Sequence, residues 1–207
     1  DLAIIGSEGQ ANREHVYVYR NTGGTWGLDQ VITSPSPNEY DDFGFSVSID
    51  GANDRAFIGA RLEDTGGTDK GMIYFYEYQA DSEEWVERQR IQGQVGEGDQ
   101  EIGWSVAHSG NFLAFGAPEE DSDVEDPANA AAGSNQSGAV YLYEYNSDTS
   151  QYDFFQKLKE RDAAGAISVQ GNDEFGRHLA MDGNTLVVGH RLDDTGGGDS
   201  GAVNEFE

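Results

Sequence analysis

The sequence predicts an all-β fold, in which four-stranded antiparallel meanders stack as the blades of a β-propeller. Three observations lead there. Four kinds of strand-like segment recur in one fixed order along the chain. Glycine occurs 28 times in 207 residues, and each glycine inside a helix costs about 1 kcal/mol relative to alanine, which disfavours long helices. The 10 Phe, 10 Tyr and 3 Trp are residues that pack well on a pleated surface.

The first segment opens on a large residue followed by glycine. It reads Phe43-Gly44-Phe45-Ser46-Val47-Ser48-Ile49, then Ile102-Gly103-Trp104-Ser105-Val106-Ala107-His108, then Phe175-Gly176-Arg177-His178-Leu179-Ala180-Met181. Large and small residues alternate, as expected of a strand with two unlike faces. The small face of Gly, Ser and Ala, interrupted at His178, suits a strand where neighbouring sheets converge on an axis. The second segment is a short apolar run ending in glycine: Leu2 to Gly6, Ala56 to Gly59, Leu113 to Gly116 and Leu186 to Gly189. Such a run fits a strand covered on both faces. The third alternates aromatics: Val16 to Tyr19, Met72 to Tyr78 and Ala139 to Tyr145. Half of Tyr74, Tyr76, Tyr78, Tyr141, Tyr143 and Tyr145 are expected to point into a blade interface, as core rather than as a carbohydrate platform. The fourth is an aromatic, three residues, Gln, one residue and an aliphatic: Trp26 to Ile32, Trp85 to Ile91 and Tyr152 to Leu158.

Turn-prone links, among them Asn21-Thr22-Gly23-Gly24 and Asp81-Ser82-Glu83-Glu84, join the third and fourth segments as hairpins. The blades are thus expected as a partial unit over 1–33, units over 43–92 and 102–159, and a partial unit over 175–207. The third unit carries an insertion over 121–137. Insertions into repeats fall on loops. A twisted four-stranded sheet has two apolar faces to cover, and stacking around an axis covers both. A β-sandwich would not need the same four segments three times in the same order. Asn204 departs from the pattern by standing where Tyr74 and Tyr141 stand.

The pairs Phe43-Gly44 with Gly59-Ala60, Ile102-Gly103 with Gly116-Ala117-Pro118, and Phe175-Gly176 with Gly189-His190 resemble the FG-GAP repeats, best known from the α-subunit propeller of integrins. The stretches around Trp85-Val86 and Asp153-Phe154-Phe155 look closer to a bacterial and algal-type branch. The resemblance covers essentially the whole chain. It implies a propeller, usually of seven blades, in adhesion receptors, accessory domains of secreted enzymes and other surface proteins. The chain opens on Asp1 without methionine, within a blade, which reads as processing or truncation. The remainder of a longer chain or another subunit is expected to complete the ring.

A formal charge of −27, from 39 acidic and 12 basic residues, argues against nucleic acid and anionic lipid as partners. The same charge attracts cations and basic surfaces and favours solubility outside the cell. The chain has no cysteine, so disulfides and thiolate metal sites are excluded. No apolar stretch approaches the ~20 residues of a membrane-spanning helix.

Chemistry concentrates in the loop Arg61 to Gly71, repeated almost letter for letter as Arg191 to Gly201. Glu63, Asp64 and Asp69, and likewise Asp193, Asp194 and Asp199, are candidate ligands for Ca2+, a hard cation that takes 6–8 oxygens from such loops. The competing reading is a solvated turn that uses Asp and Gly for backbone reasons. The integrin-type calcium motif itself is not carried over: Asp50 to Asp54, Ser109 to Asn111 and Asp182 to Asn184 are too short and too poor in carboxylates. Asn135-Gln136-Ser137 is a candidate glycosylation sequon. His15, His108, His178 and His190 have no partner at metal-ligand or triad spacing, and no nucleophile elbow or phosphate loop is present. The expectation is therefore a non-catalytic, extracellular or cell-surface module that presents propeller loops to a protein or glycan partner. An accessory propeller of a larger secreted enzyme and a calcium-dependent adhesion domain are the alternatives.

Overall fold

The computed structural model describes residues 1–7, 14–36, 41–65, 68–93, 100–120, 137–160, 173–191 and 201–207. All regular structure among them is β, and no helix is long and apolar enough to cross a membrane. Fourteen strands form four antiparallel sheets. Blade A holds β1 (Leu2–Ser7), β2 (His15–Thr22) and β3 (Thr25–Thr33). Blade B holds β4 (Phe43–Asp50), β5 (Arg55–Ala60), β6 (Met72–Gln79) and β7 (Glu84–Ile91). Blade C holds β8 (Ser105–Ser109), β9 (Phe112–Ala117), β10 (Ala139–Asn146) and β11 (Gln151–Leu158). Blade D holds β12 (His178–Asp182), β13 (Thr185–His190) and β14 (Ala202–Phe206). Each sheet is a meander in sequence order, and the four blades make an open arc rather than a closed ring.

Three apolar layers lie between the four sheets. Ile58, Tyr74 and Trp85 of blade B meet Val16, Val18 and Ile32 of blade A. Phe57, Ile73, Phe75 and Ile91 on the opposite side of blade B meet Leu113, Phe115, Tyr143 and Tyr152 of blade C. Val140 and Leu158 of blade C meet Phe175, Leu186 and Val188 of blade D. Four of the six third-segment tyrosines, Tyr74, Tyr76, Tyr141 and Tyr143, are buried in the core, where half were expected.

The small face of the first segment does bring the sheets together at the axis. Ser46 Oγ donates to the Gly103 carbonyl at 2.7 Å, and Ser105 Oγ to the Gly176 carbonyl at 2.6 Å. A Cβ on Gly59 would run into the Gly103 carbonyl and the Ser46 hydroxyl, so the approach needs glycine on one side and a small donor on the other.

The fourth strands carry a feature the sequence pattern conceals. Register slips by one residue at the same place in three blades: between Val18 and Tyr19, between Phe75 and Tyr76, and between Leu142 and Tyr143. The extra residue is Asp29, Arg88 or Phe155. A one-residue bulge reverses which face follows. Trp85 therefore faces blade A, whereas Gln89 and Ile91 on the same strand face blade C.

The exception at Asn204 also resolves. His190 stands where blades B and C have Ala60 and Ala117, and its Nε2 lies 2.8 Å from Asn204 Oδ1. Its ring meets Phe175 edge-on at 5.7 Å, as Tyr74 meets Phe43 at 5.2 Å. A large residue has moved from the third strand to the second, and the space stays filled.

Candidate functional site

The inner strands β4, β8 and β12 begin at the same end of the blades as the loops β5–β6, β9–β10 and β13–β14. Of the candidates from the sequence, Glu63, Asp64 and Asp69 lie at this end. Asp193, Asp194, Asp199 and Asn135 lie outside the described residues.

Glu63 is 1% exposed. Its carboxylate accepts from the Tyr74 hydroxyl at 2.9 Å and from Thr65 Oγ1, so it turns into the blade rather than into the loop. Asp64 stays in the loop, where Oδ1 accepts the Asp69 backbone N–H at 2.9 Å, and Asp69 has a left-handed φ of 47°. The three carboxylates proposed as one ligand set thus divide: Glu63 is a core residue, and Asp64 with Asp69 forms a turn. Among the described residues no group of three or more His, Asp or Glu converges as metal ligands.

Buried acids gather around Glu63 where blades A and B meet. Glu14 accepts the backbone N–H groups of Asp42 and Phe43 at 3.0 and 3.2 Å. At the next junction backbone carbonyls do this work: Lys70 O accepts from Ile102 N, and Asp69 O from Glu101 N. The difference follows from residue 14. Blades B and C have Gly71 and Gly138 here, each pressed against the following blade in a parallel bridge that leaves no room for a Cβ. Glu14 cannot approach as closely, and its carboxylate spans the gap. Asp41 is 2% exposed and its Oδ2 has no hydrogen-bond partner among the described residues. Burial, with Glu63 and Glu14 adding their charge, pushes its carboxyl up to about 6, and burial likewise raises Glu14.

Blade C solves the same problem with cations. Glu120, the counterpart of Glu63, accepts from Lys157 Nζ at 2.7 Å and Lys159 Nζ at 3.0 Å. Lys159 also donates to Ser137 Oγ at 2.8 Å and to the Gly138 carbonyl. One ammonium therefore ties Glu120, just before the 121–137 insertion, to Ser137 at its end and Gly138 after it.

Nearer the axis, the third residue of each first segment forms a ladder. Phe45 and Trp104 meet edge-on at 5.1 Å. The Arg61 guanidinium lies 4.6 Å from the Phe45 ring and 4.7 Å from Trp104, and Arg177 lies 4.1 Å from Trp104. Arg61 is paired with Asp42 at 2.8 Å and Glu101 at 3.2 Å, and Glu174 holds Arg177 and Arg191. Burial raises the Glu101 carboxyl, and Arg61 opposes that rise. Asp42, Glu101 and Glu174 share a left-handed backbone, with φ of 57°, 51° and 54°, which turns each carboxylate toward its arginine. Phe45, Trp104 and Arg177 of the ladder line a shallow groove of about 520 Å³ beside the inner strands. Alternating arginine and aromatic faces can hold a flat polar group by stacking and charge together.

His108 and His190 do structural work. His108 stacks on Phe57 at 4.7 Å and touches the Tyr152 hydroxyl at 3.1 Å, and burial lowers its pKa. Sequence reasoning missed the arginine–aromatic ladder and the Glu120–lysine anchor. A signal for the ladder was present: the residue after Phe-Gly or Ile-Gly is Phe45, Trp104 or Arg177, and Arg61 and Arg191 follow Gly59-Ala60 and Gly189-His190.

Comparison with curated proteins gives no match. A family model for the FG-GAP repeat matches residues 26–76, 85–143 and 165–204. The first two segments open on the fourth-strand aromatics Trp26 and Trp85 and close in the third strand of the following blade. The sequence repeat therefore straddles two blades, starting with the strand that docks on one and ending within the next. With more than half of its residues matched and the repeating sheets in place, the chain belongs to the FG-GAP repeat family.

Proposed function

We propose that the chain is a non-catalytic binding module, working outside the cell or on its surface, that presents one propeller face to a protein or glycan partner. The observation that carries this reading is the ladder of Phe45, Arg61, Trp104 and Arg177, set at the loop-bearing end of the blades. Arg61 and Arg177, each already paired with a carboxylate, present flat guanidinium faces beside Phe45 and Trp104, suited to stacking against a planar polar group. A rigid sheet array carrying variable loops is a common basis for recognition. Family membership supports the extracellular setting and the absence of catalysis only in general terms. The test is a binding screen of the 207-residue chain against neutral and acidic glycans and matrix proteins, repeated with Trp104→Ala and Arg177→Ala. A ligand lost by either variant supports the reading. Ligands bound equally by both variants would move the site elsewhere.

The same reading includes further blades at both ends of the arc. Trp26 on blade A is 49% exposed, whereas its counterpart Trp85 is 3% exposed; Val203 on blade D is 69% exposed, whereas its counterpart Ile73 is fully buried. These end faces have the composition of blade interfaces without a blade against them.

A further inference from the structure

The junction between blades B and C carries a buried polar cluster where the junction between blades A and B is apolar. At the end away from the loops, Trp85 of blade B packs among Leu2, Ile4 and Ile49. At the matching positions one junction further on stand Tyr152, Arg55, Phe57 and His108. Polar groups taken out of water need partners that apolar ones do not, and the partners here form one chain. Arg55 Nη1 donates to the Tyr152 hydroxyl at 3.4 Å, and its guanidinium lies 3.5 Å from the Tyr145 ring. The same hydroxyl lies 3.1 Å from His108 Nε2. The His108 ring stacks on Phe57 at 4.7 Å, and its side chain is 2% exposed.

This arrangement fixes the protonation of His108. A phenol has one proton to give. Arg55 already donates to the oxygen, so the Tyr152 proton goes to Nε2, which must be bare. The imidazole proton is then on Nδ1, 3.9 Å from Asp50 Oδ2, where the ring also bonds the Gly110 backbone.

A second proton has no place in the cluster. Nε2–H would face the Tyr152 hydroxyl, whose own hydrogen would lose its acceptor. The imidazolium would also lie beside the Arg55 guanidinium. Among the described residues, Asp50 and Arg55 are the charges that act on the ring. Asp50 is poorly placed to compensate, because its oxygens accept from the Ala52 and Asn53 N–H groups and from Asn53 Nδ2. Glu77, opposite Arg55 in the sheet, is engaged by Arg88 at 3.4 Å. Burial above all, with Arg55, holds the ring below the usual histidine value of 6.5, and Asp50 opposes them.

We infer that His108 makes the B/C junction an acid-released clasp: a proton on its ring parts blades B and C at the end away from the loops, while blades A and B stay joined. The parted state takes up the proton more readily than the closed one. The closed junction therefore has its full stability above about pH 6.5 and loses it as pH falls below that value. Ile49 stands at this position in blade B, so the A/B junction lacks the response. Arg61 and Glu101 hold the loop-bearing end of the B/C junction, which keeps the parting local. The clasp does not depend on what the arginine–aromatic ladder binds.

Two backbone amides report on the two junctions separately. Tyr152 N–H is bonded across the B/C junction to Gln89 Oε1 at 2.8 Å, and Trp85 N–H across the A/B junction to Gln30 Oε1 at 2.7 Å. Hydrogen exchange of both, corrected for the intrinsic effect of pH, is measured on the 207-residue protein at pH 7.5 and pH 5.0. Protection of the Tyr152 amide should fall by roughly fivefold or more at the lower pH, and that of the Trp85 amide should not fall. His108→Gln leaves an acceptor for the Tyr152 hydroxyl and does not titrate, so its Tyr152 amide should be protected equally at both values. The ring resonances of His108 in the parent protein should titrate with a midpoint below 6.5. Equal falls at Tyr152 and Trp85 would overturn the proposal, as would a fall at Tyr152 that persists in His108→Gln. A midpoint at or above 6.5 in the parent overturns it independently of any variant.

Discussion

Gln89 holds the backbone of Tyr152 at both polar groups: its amide nitrogen reaches the carbonyl at 2.9 Å and its amide oxygen the N–H at 2.8 Å. The two residues are 63 positions apart and belong to different sheets. Neither backbone group of Tyr152 can turn to a strand beyond β11, because β11 is the outer strand of its sheet. A side-chain amide offers one donor and one acceptor at the spacing of a peptide group, so Gln89 stands in for a neighbouring strand at a single residue.

Gln89→Ala should therefore cost more than the loss of one side-chain contact. Two hydrogen bonds at roughly 1 kcal/mol each, with the Tyr152 groups left partly unsatisfied, predict a loss of about 2–3 kcal/mol. Gln30→Ala should behave alike through Trp85. Gln156→Ala, with no described partner in the chain, should stay within about 0.5 kcal/mol of the parent. Urea unfolding of the three variants tests the contrast; three equal losses would show that the pairing contributes nothing specific.

The spacing of aromatic, Gln and aliphatic was plain in the sequence, and it located the strands. What each residue faces was not, because period-two alternation puts Trp85, Gln89 and Ile91 on one side. The bulge reverses that, and its extra residue is Asp29, Arg88 or Phe155, three side chains with nothing in common. Pairing to the third strand fixes the bulge, not residue type. Glu63 failed for a related reason. Adjacent acids at Glu63 and Asp64 read as one loop feature, yet Tyr74, eleven residues on, draws the first into the core. The Phe-Gly and Gly-Ala pairs were legible because close approach at the axis limits those positions to a few residues.

Asp41 predicts a stability that falls as pH rises. Its carboxyl stands at about 6 rather than the usual 3.8, so the folded state binds its proton more tightly than the unfolded state. That contribution is complete below about pH 4 and disappears as pH passes 6. The ionised carboxylate, buried beside Glu63 and Glu14, therefore destabilises the fold at neutral pH. Asp41→Asn keeps the shape and supplies an amide, in keeping with the neutral Gln100 at the matching position in the next junction. The variant should gain about 1–3 kcal/mol at pH 7.5 and little at pH 4. Unfolding curves at the two pH values check this, and equal gains at both would rule out the titration of Asp41.

Two glycines at matching positions should tolerate alanine very differently. On Gly59 the new methyl meets the Gly103 carbonyl and Ser46 Oγ, and blade C must move away. Overpacking of that kind costs about 1–3 kcal/mol or more. On Gly189 the nearest atom is His178 Cβ at 3.4 Å, an ordinary contact, so Gly189→Ala should fall within about 0.5 kcal/mol of the parent. Thermal melts of both variants decide whether blade contact, rather than loss of glycine itself, sets the difference.

The buried Glu120 links stability to the presentation of the inserted loop. Lys159 Nζ ties together Glu120, Ser137 and Gly138, the residues that flank 121–136. Lys159→Met should cost about 3 kcal/mol, since a buried carboxylate loses one of its two ammonium partners. Lys159→Arg, which keeps a cation beside Glu120, should cost less than Lys159→Met. A simple packing role for the lysine stem would make methionine the milder change instead. Hydrogen exchange at Ser137 and Gly138 separates the local effect from the global one: the methionine variant should expose both amides at denaturant concentrations where Ile73 and Phe75 of blade B remain protected. If the amides of both blades exchange together, the lysine holds the whole array and not the base of the loop.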